Sequence, residues 1–158
     1  MIKVFISHQQ ADSTKAAAIA YRLKSQHQID YYLDVIDPHM GKGEDLAAHI
    51  QAEMSSCTQL LAVVSDATRN SSWVPWEIGV ATEKDFPLAT FLDGTAAAPE
   101  FLRKWPYLRT TADIDLYAQT SKAAERSYVA KRATLNEGVA RVRSTAEFFA
   151  TLRKGLGQ

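Results

Sequence analysis

Short apolar runs alternate with segments of helical periodicity along much of the chain. The apolar runs cover residues 3–7, 29–33, 60–64 and 86–92. Unbroken runs of this length indicate strands that are covered on both faces. Between them, apolar residues recur at the three- and four-residue spacing of an amphipathic helix. The clearest sets are Ala16, Ile19, Ala20 and Leu23, and then Leu46, Ile50 and Met54. A third helix is predicted over about 72–84.

This alternation of strands and helices predicts an α/β fold. We expect a flavodoxin-like, doubly wound parallel sheet of about five strands, with helices on both faces. In such sheets, ligands bind beyond the carboxyl ends of the strands. The loops after Ser7, Asp34 and Ser65 are therefore expected to share one ligand-binding rim.

The pattern becomes less regular after residue 94. It predicts a fifth strand within 105–111 and helices over about 115–135 and 145–155. The last helix is expected to begin at Ser144-Thr145-Ala146-Glu147, which has the capping-box pattern. All 158 residues are expected to form one domain.

Composition narrows the classes of function. Lys plus Arg and Asp plus Glu number 18 each, so net charge gives no reason to expect a nucleic-acid partner. No stretch approaches the ~20 consecutive apolar residues that span a membrane. Residues 1–4 do not begin a signal peptide. The single cysteine, Cys57, is expected in the core and fits a reducing compartment, so we expect a cytoplasmic protein.

The segment with the clearest chemistry surrounds Glu77. Ser71 or Ser72 can cap a helix here, and Pro75 is tolerated only in its first turn, which puts Glu77 in the second. Residues three and four apart share a helix face, and those on the face of Glu77 are Trp73, Val80 and Ala81. Two interpretations stay open. Glu77 is either an exposed residue at the edge of an apolar stripe or a partly desolvated carboxylate, which is a recurrent mark of active sites.

Four motifs, in order across residues 2–92, resemble those of the Toll/interleukin-1-receptor (TIR) domain family. Lys3-Val4-Phe5-Ile6-Ser7-His8 resembles its opening strand, and residues 60–65 resemble its third strand. Asp34, followed by a loop that ends in Gly41-Lys42-Gly43, resembles the start and end of its BB loop. Ser72-Trp73-Val74-Pro75-Trp76-Glu77 resembles its S-x-W-C-x-x-E motif, with Val74 and Pro75 in place of the common Cys and its neighbour.

This resemblance implies an enzyme that cleaves the nicotinamide–ribose bond of NAD⁺, as a hydrolase or ADP-ribosyl cyclase, with Glu77 as the catalytic residue. It also implies substrate-binding residues in the nicotinamide pocket (Trp73), in the loop after the first strand (Ser7, His8 and Gln9) and in the BB loop (Asp34, Gly41 and Lys42). A carboxylate near the ribose stabilises the oxocarbenium ion left by departing nicotinamide. We therefore expect no metal and no cofactor, since NAD⁺ is the substrate.

The resemblance extends to the freestanding bacterial TIR enzymes of Thoeris-like antiphage defence. It implies a linear or cyclic ADP-ribose signal in immune defence, a separate effector protein that responds to it, and self-association through TIR–TIR contacts. The alternative is a non-catalytic signalling scaffold that acts by homotypic TIR–TIR contacts. Such scaffolds often lack the motif glutamate, which this chain keeps at Glu77. A nucleoside deoxyribosyltransferase, which shares the fold outline and a glutamate near the ribose, is a third possibility.

Other features carry weaker signals. The four histidines show no metal-ligand spacing. Gly41-Lys42-Gly43 lacks the spacing of a phosphate-binding P-loop. Asp34, at a strand end, resembles the phosphoacceptor of a response regulator. That family has an acidic pair after the first strand, where this chain has Ser7 and His8.

Overall fold

The computed structural model describes residues 1–33, 44–70 and 73–158, with the backbone alone described at 44–46, 69, 70, 73 and 101. Its strands are β1 (Lys3–Ser7), β2 (Asp30–Leu33), β3 (Gln59–Val64), β4 (Leu88–Leu92) and β5 (Tyr107–Leu108). Its α-helices are α1 (Ser13–His27), α2 (Glu44–Ser55), α3 (Trp73–Glu83), α4 (Thr111–Arg132) and α5 (Glu137–Leu156). Short 3₁₀ turns occupy Gln10–Asp12, Asp66–Asn70 and Glu100–Leu102.

The described strands form one parallel sheet in the order β2-β1-β3-β4-β5. The strand order changes direction between β1 and β3, which are neighbours in the sheet although β2 lies between them in the chain. A crevice forms at such a switch point, outside the carboxyl ends of the two strands. The structure thus confirms the predicted flavodoxin-like, doubly wound sheet and places the crevice beside Ser7, the last residue of β1.

Helices cover both faces of the sheet. Successive strand residues point to opposite faces. Val4 and Ile6 accordingly join a core cluster with residues of α1, α4 and α5. Phe5, between them, joins a second cluster with residues of α2 and α3. This two-sided burial explains why the strands read as unbroken apolar runs. Cys57 is buried in the second cluster, as predicted, and that burial raises the pKa of its thiol.

The two C-terminal helices begin earlier than predicted. α4 begins at Thr111 rather than at about 115, because Thr110 and Asp113 form a reciprocal capping box. The Asp113 N–H donates to Thr110 Oγ1 at 3.1 Å, and the Thr110 N–H donates to Asp113 Oδ2 at 3.0 Å. α5 begins at Glu137 rather than at about 145, because the Asn136 side chain accepts from the Val139 N–H at 2.9 Å.

The predicted capping box at Ser144 is therefore wrong. Ser144 lies inside α5, on a buried face whose other members follow at four-residue spacing: Ala140, Phe148 and Leu152. Glu147 makes an ion pair with Lys131 of α4 at 2.7 Å instead of reaching back to a helix end. The helix thus begins two turns before the pattern that suggested its start, and its buried face begins one turn before that pattern, at Ala140.

β2 and β4 are shorter than predicted, and β2 begins at Asp30 rather than at 29, whereas β5 lies within the expected 105–111. β4 begins at Leu88 rather than at 86, since Pro87 has no N–H to donate to a neighbouring strand. β5 is confined to Tyr107–Leu108 because the cap of α4 follows at Thr110. Within the three described stretches, no helix is long and apolar enough to cross a membrane.

The assignment of Asn136 as the cap of α5 makes a prediction about stability. Asn136→Ala is expected to lower the free energy of unfolding by about 1 kcal/mol, because the Val139 N–H loses its acceptor. Urea unfolding followed by circular dichroism measures this. Ser144→Ala is the matched control, since Ser144 Oγ has no hydrogen-bond partner within the described residues. If Ser144→Ala lowered the free energy of unfolding as much as Asn136→Ala does, the assignment of the cap would be contradicted.

Candidate active site

The site centres on a hydrogen bond between the end of β1 and the second turn of α3. Ser7 Oγ donates to Glu77 Oε2, and the two residues are 70 positions apart in the chain. Ser7 follows Ile6 on the opposite face of β1 and so points towards α3, the side of the second core cluster. The bond therefore joins the carboxyl end of the sheet to the helix that carries the motif glutamate.

The start of α3 explains the position of Glu77. The helix begins at Trp73, so that Pro75 is its third residue, where an N–H would lack an intrahelical acceptor. Val74, Ile78 and Ala81 are buried in the second core cluster and fix the orientation of the helix. The capping role predicted for Ser71 or Ser72 lies outside the described residues, as does the side chain of Trp73.

Glu77 is more deeply buried than either sequence interpretation expected. Its side chain and that of Ser7 are both 0% exposed. A carboxylate out of contact with water is costly unless hydrogen bonds compensate. The Ser7 hydroxyl supplies one such bond, and it is charge-assisted if Glu77 is ionised. Glu77 therefore does not sit at the edge of an apolar stripe or at the mouth of an open pocket.

His8 lies next to Ser7 and has a defined ring orientation. It is buried, and its Nδ1 lies 3.1 Å from the carbonyl oxygen of Ile6. A carbonyl oxygen can only accept, so Nδ1 carries the proton. This leaves Nε2 as the ring nitrogen available to a ligand. Gln9 follows in the same loop, and its carbonyl accepts from the Asp12 N–H at 2.8 Å.

Asp12 is a buried carboxylate at the start of α1. It occupies the N-cap position of α1, but its side chain makes no capping hydrogen bond. The residue is 6% exposed, and its Oδ2 has no hydrogen-bond partner in the part of the chain described. The loop after β1 thus carries a second buried acid, besides Glu77 of α3. In the sequence, only its position five residues after Ser7 indicates that Asp12 lies near the site.

The described loops at the carboxyl ends of the strands share one edge of the sheet, as predicted. Ser7 of β1 is paired with Ala62 of β3, and Ser65 follows the end of β3. Lys15 of α1 forms an ion pair at 3.1 Å with Asp93, which follows β4. The predicted substrate-binding residues of the BB loop, Asp34, Gly41 and Lys42, lie outside the described residues.

Chemically, this arrangement holds one carboxylate in a fixed place with little access to water. Such a group interacts strongly with positive charge that develops close to it, because the surroundings screen poorly. The neighbouring His8 offers a ring nitrogen that can accept or donate a proton. A substrate suited to these groups develops positive charge during the reaction and carries hydroxyls that a carboxylate can orient.

Comparisons with known proteins give one family match and two similar solved structures. Residues 4–128 match the family model described as TIR domain. A crystal structure of a prokaryotic SEFIR domain is similar at 17% identity, with 80% of this chain and 91% of that chain covered and a TM-score of 0.50. The TIR domains of the activated Roq1 resistosome directly recognizing the pathogen effector XopQ align at 15% identity, with 97% and 84% covered and a TM-score of 0.48. No curated protein matches the chain in sequence.

The bond between Ser7 and Glu77 predicts a stability effect. Ser7→Ala is expected to lower the free energy of unfolding by about 1–3 kcal/mol, because it removes a donor from a buried carboxylate. Ser55→Ala is the matched control, since Ser55 is exposed and bonds only to a carbonyl of its own helix. Thermal and urea unfolding measure both variants. Equal stabilities for Ser7→Ala and Ser55→Ala would show that the bond does not support the fold.

Proposed function

The chain belongs to the TIR domain family, and we propose that it is an NAD⁺-cleaving member in which Glu77 is the catalytic carboxylate. The observation that carries the proposal is the placement of Glu77. The glutamate of the family's tryptophan-containing motif is held by Ser7 at the carboxyl end of β1, beside the switch point of the sheet. Ligands of doubly wound sheets bind at that position.

The proposed reaction breaks the bond between ribose C1′ and the nicotinamide nitrogen. The bonding electron pair leaves with the ring, which becomes neutral, and the ribose becomes an oxocarbenium ion. Glu77 stabilises this ion by its negative charge and orients the ribose hydroxyls. Water then forms a bond to C1′ and loses a proton, which gives ADP-ribose. Attack by a nucleophile of the same molecule gives a cyclic product.

The remaining roles in the proposal come from the family motifs. Trp73 forms one wall of the nicotinamide pocket. His8 contacts the substrate through Nε2, since Nδ1 is engaged with Ile6. Gln9, together with the BB-loop residues Asp34, Gly41 and Lys42, completes the binding site. No metal and no cofactor is required, because the positive charge of NAD⁺ itself activates nicotinamide as a leaving group.

A carboxylate with no exposed surface cannot contact a substrate until the site opens. Substrate binding or assembly must therefore favour a conformation in which Glu77 is uncovered, and a single chain is expected to be nearly inactive. We propose that TIR–TIR contacts through the BB loop supply this change. In this account the protein acts in the cytoplasm, and its linear or cyclic ADP-ribose product signals to a separate effector in immune defence.

The same burial supports a second candidate, a non-catalytic scaffold that works by TIR–TIR contacts alone. In that case the bond between Ser7 and Glu77 only fastens α3 to the sheet. The two candidates differ in one measurable property, which is nicotinamide release by the assembled wild-type protein. The scaffold releases none, and its partner binding is unaffected by the charge at residue 77.

Replacement of Glu77 tests the proposed role. Glu77→Gln is expected to lower the rate of nicotinamide release from NAD⁺ by about 10²–10³-fold, the usual effect of removing one preorganised electrostatic group. The amide keeps an oxygen that accepts from Ser7, so the variant is expected to fold. Chromatography of the products under crowding conditions measures the rate, and thermal melting checks the fold.

Glu83→Gln is the matched control, since Glu83 is an exposed residue of the same helix. It removes the same charge at a distance of almost two helical turns and is expected to keep the wild-type rate. A folded Glu77→Gln variant that releases nicotinamide as fast as Glu83→Gln would remove Glu77 from the mechanism.

The closed position of Glu77 predicts that activity depends on assembly. Specific activity is expected to rise with protein concentration or with a crowding agent, because contacts between chains favour the open site. The rate of nicotinamide release is measured across a broad range of enzyme concentration, with light scattering to follow assembly. A rate strictly proportional to enzyme concentration over the whole range would contradict this dependence.

A further inference from the structure

A pocket lies at the opposite edge of the sheet from Ser7 and Glu77. It has a volume of about 200 Å³ and is lined by residues at the amino ends of β3 and β4 and by residues of α4 and α5. Gln59 begins β3, and Pro87 precedes β4. One water molecule needs only ~10–15 Å³ of such space, so the pocket is many times larger than a single-water site. The pocket therefore has room for a ring-sized molecule.

Two hydrogen-bonding side chains in this pocket have capacity that the fold does not use. Ser144 is 4% exposed, and its Oγ has no hydrogen-bond partner among the residues that the structure describes. Gln59 Oε1 accepts from the hydroxyls of Tyr117 and Ser121, at 2.9 and 2.8 Å. The Gln59 carboxamide nitrogen is thereby left to donate elsewhere. Buried polar groups nearly always have partners, so these two groups suit a polar ligand.

Arg141 supplies a positive charge at the same pocket. Its Nη2 lies 3.4 Å from both Tyr128 Oη and Glu137 Oε1, and the contact with Glu137 is an ion pair. A guanidinium has five N–H donors, so Nε and Nη1 can still donate to a ligand. The Glu125 carboxylate, which also lines the pocket, accepts from the amino group of Met1 at 2.9 Å. Glu125 and Glu137 thus both place negative charge near Arg141.

The walls of the pocket favour a flat molecule. The guanidinium of Arg141 lies 5.1 Å from the centre of the Tyr128 ring, so an aromatic surface adjoins the charge. Pro87 and Ala124 add apolar surface. The pocket thus combines donors, one cation and apolar walls. Arg matches a carboxylate in shape and charge. A carboxylate monoanion adds less negative charge beside Glu125 and Glu137 than a phosphate dianion does.

We propose that this pocket binds a small planar carboxylate, whose carboxylate group accepts from Arg141, from the Gln59 amide and, after a rotation of its side chain that turns Oγ into the pocket, from Ser144. The ring of such a ligand lies against Tyr128 and the apolar walls. The site is separate from the proposed NAD⁺ site, at the other end of the parallel strands, and its ligand binding does not depend on catalysis. The pocket is lined by α4, α5 and the sheet, so a ligand bound there contacts all three and stabilises the folded chain.

Benzoate is the probe that tests the site on the full chain. Titration is followed by the NMR shifts of backbone amides, and saturable changes are expected at residues 58–59, 124–128 and 141–145. Benzamide, which has the same shape without the charge, is expected to bind about tenfold more weakly. Inorganic phosphate is expected not to compete. Absence of saturable shifts at these residues, equal affinity for benzamide, or competition by phosphate would overturn the proposal.

Variants identify the groups that bind. Arg141→Gln is expected to weaken benzoate binding by about tenfold or more, since it removes a charge-assisted donor. Arg143→Gln is the matched control, because Arg143 is an exposed residue of the same helix, and it is expected to keep the wild-type affinity. Ser144→Ala provides a second test inside the pocket and is expected to weaken binding severalfold. Unchanged affinity in folded Arg141→Gln and Ser144→Ala variants would also overturn the proposal.

Discussion

The hydrogen bond from Ser7 to Glu77 is the interaction on which the account of this protein depends. It joins the last residue of β1 to α3, across 70 residues of chain. Both side chains are completely buried, so the bond has no competition from water and a buried carboxylate has a donor. The same contact fixes the motif glutamate beside the switch point of the sheet. Stability of the fold and placement of the proposed catalytic group therefore rest on the same pair of atoms.

This dual role has a consequence for function. A carboxylate that is held inside the protein has a fixed position, and its electric field is poorly screened. Both properties favour stabilisation of an oxocarbenium ion. The same burial denies it to substrate. An enzyme built in this way stays inactive until another interaction opens the site. Such a property suits the proposed NAD⁺ cleavage, which would consume an essential metabolite and so needs a trigger.

Sequence reasoning predicted the first half of the fold well because local and global signals agree there. The apolar run of β1 fits only a buried strand, and Pro75 fits only the first turn of α3. The predicted start of α5 was wrong, because Ser144 and Glu147 match the capping-box sequence pattern but lie inside the helix. The true box, Thr110 with Asp113, has the same pattern, and only packing distinguishes the two. The complete burial of Glu77 could not be predicted from the sequence either, because it depends on where β1 ends relative to α3.

The most direct test of the central claim is a structure of the assembled protein with a non-cleavable NAD⁺ analogue, such as one with a carbocyclic nicotinamide riboside. The account predicts that the analogue lies beyond the carboxyl ends of β1 and β3. It also predicts that a Glu77 carboxylate oxygen lies within hydrogen-bond distance, about 2.6–3.2 Å, of a ribose hydroxyl. An analogue bound at this edge with Glu77 still enclosed against Ser7, or bound elsewhere on the protein, would contradict it.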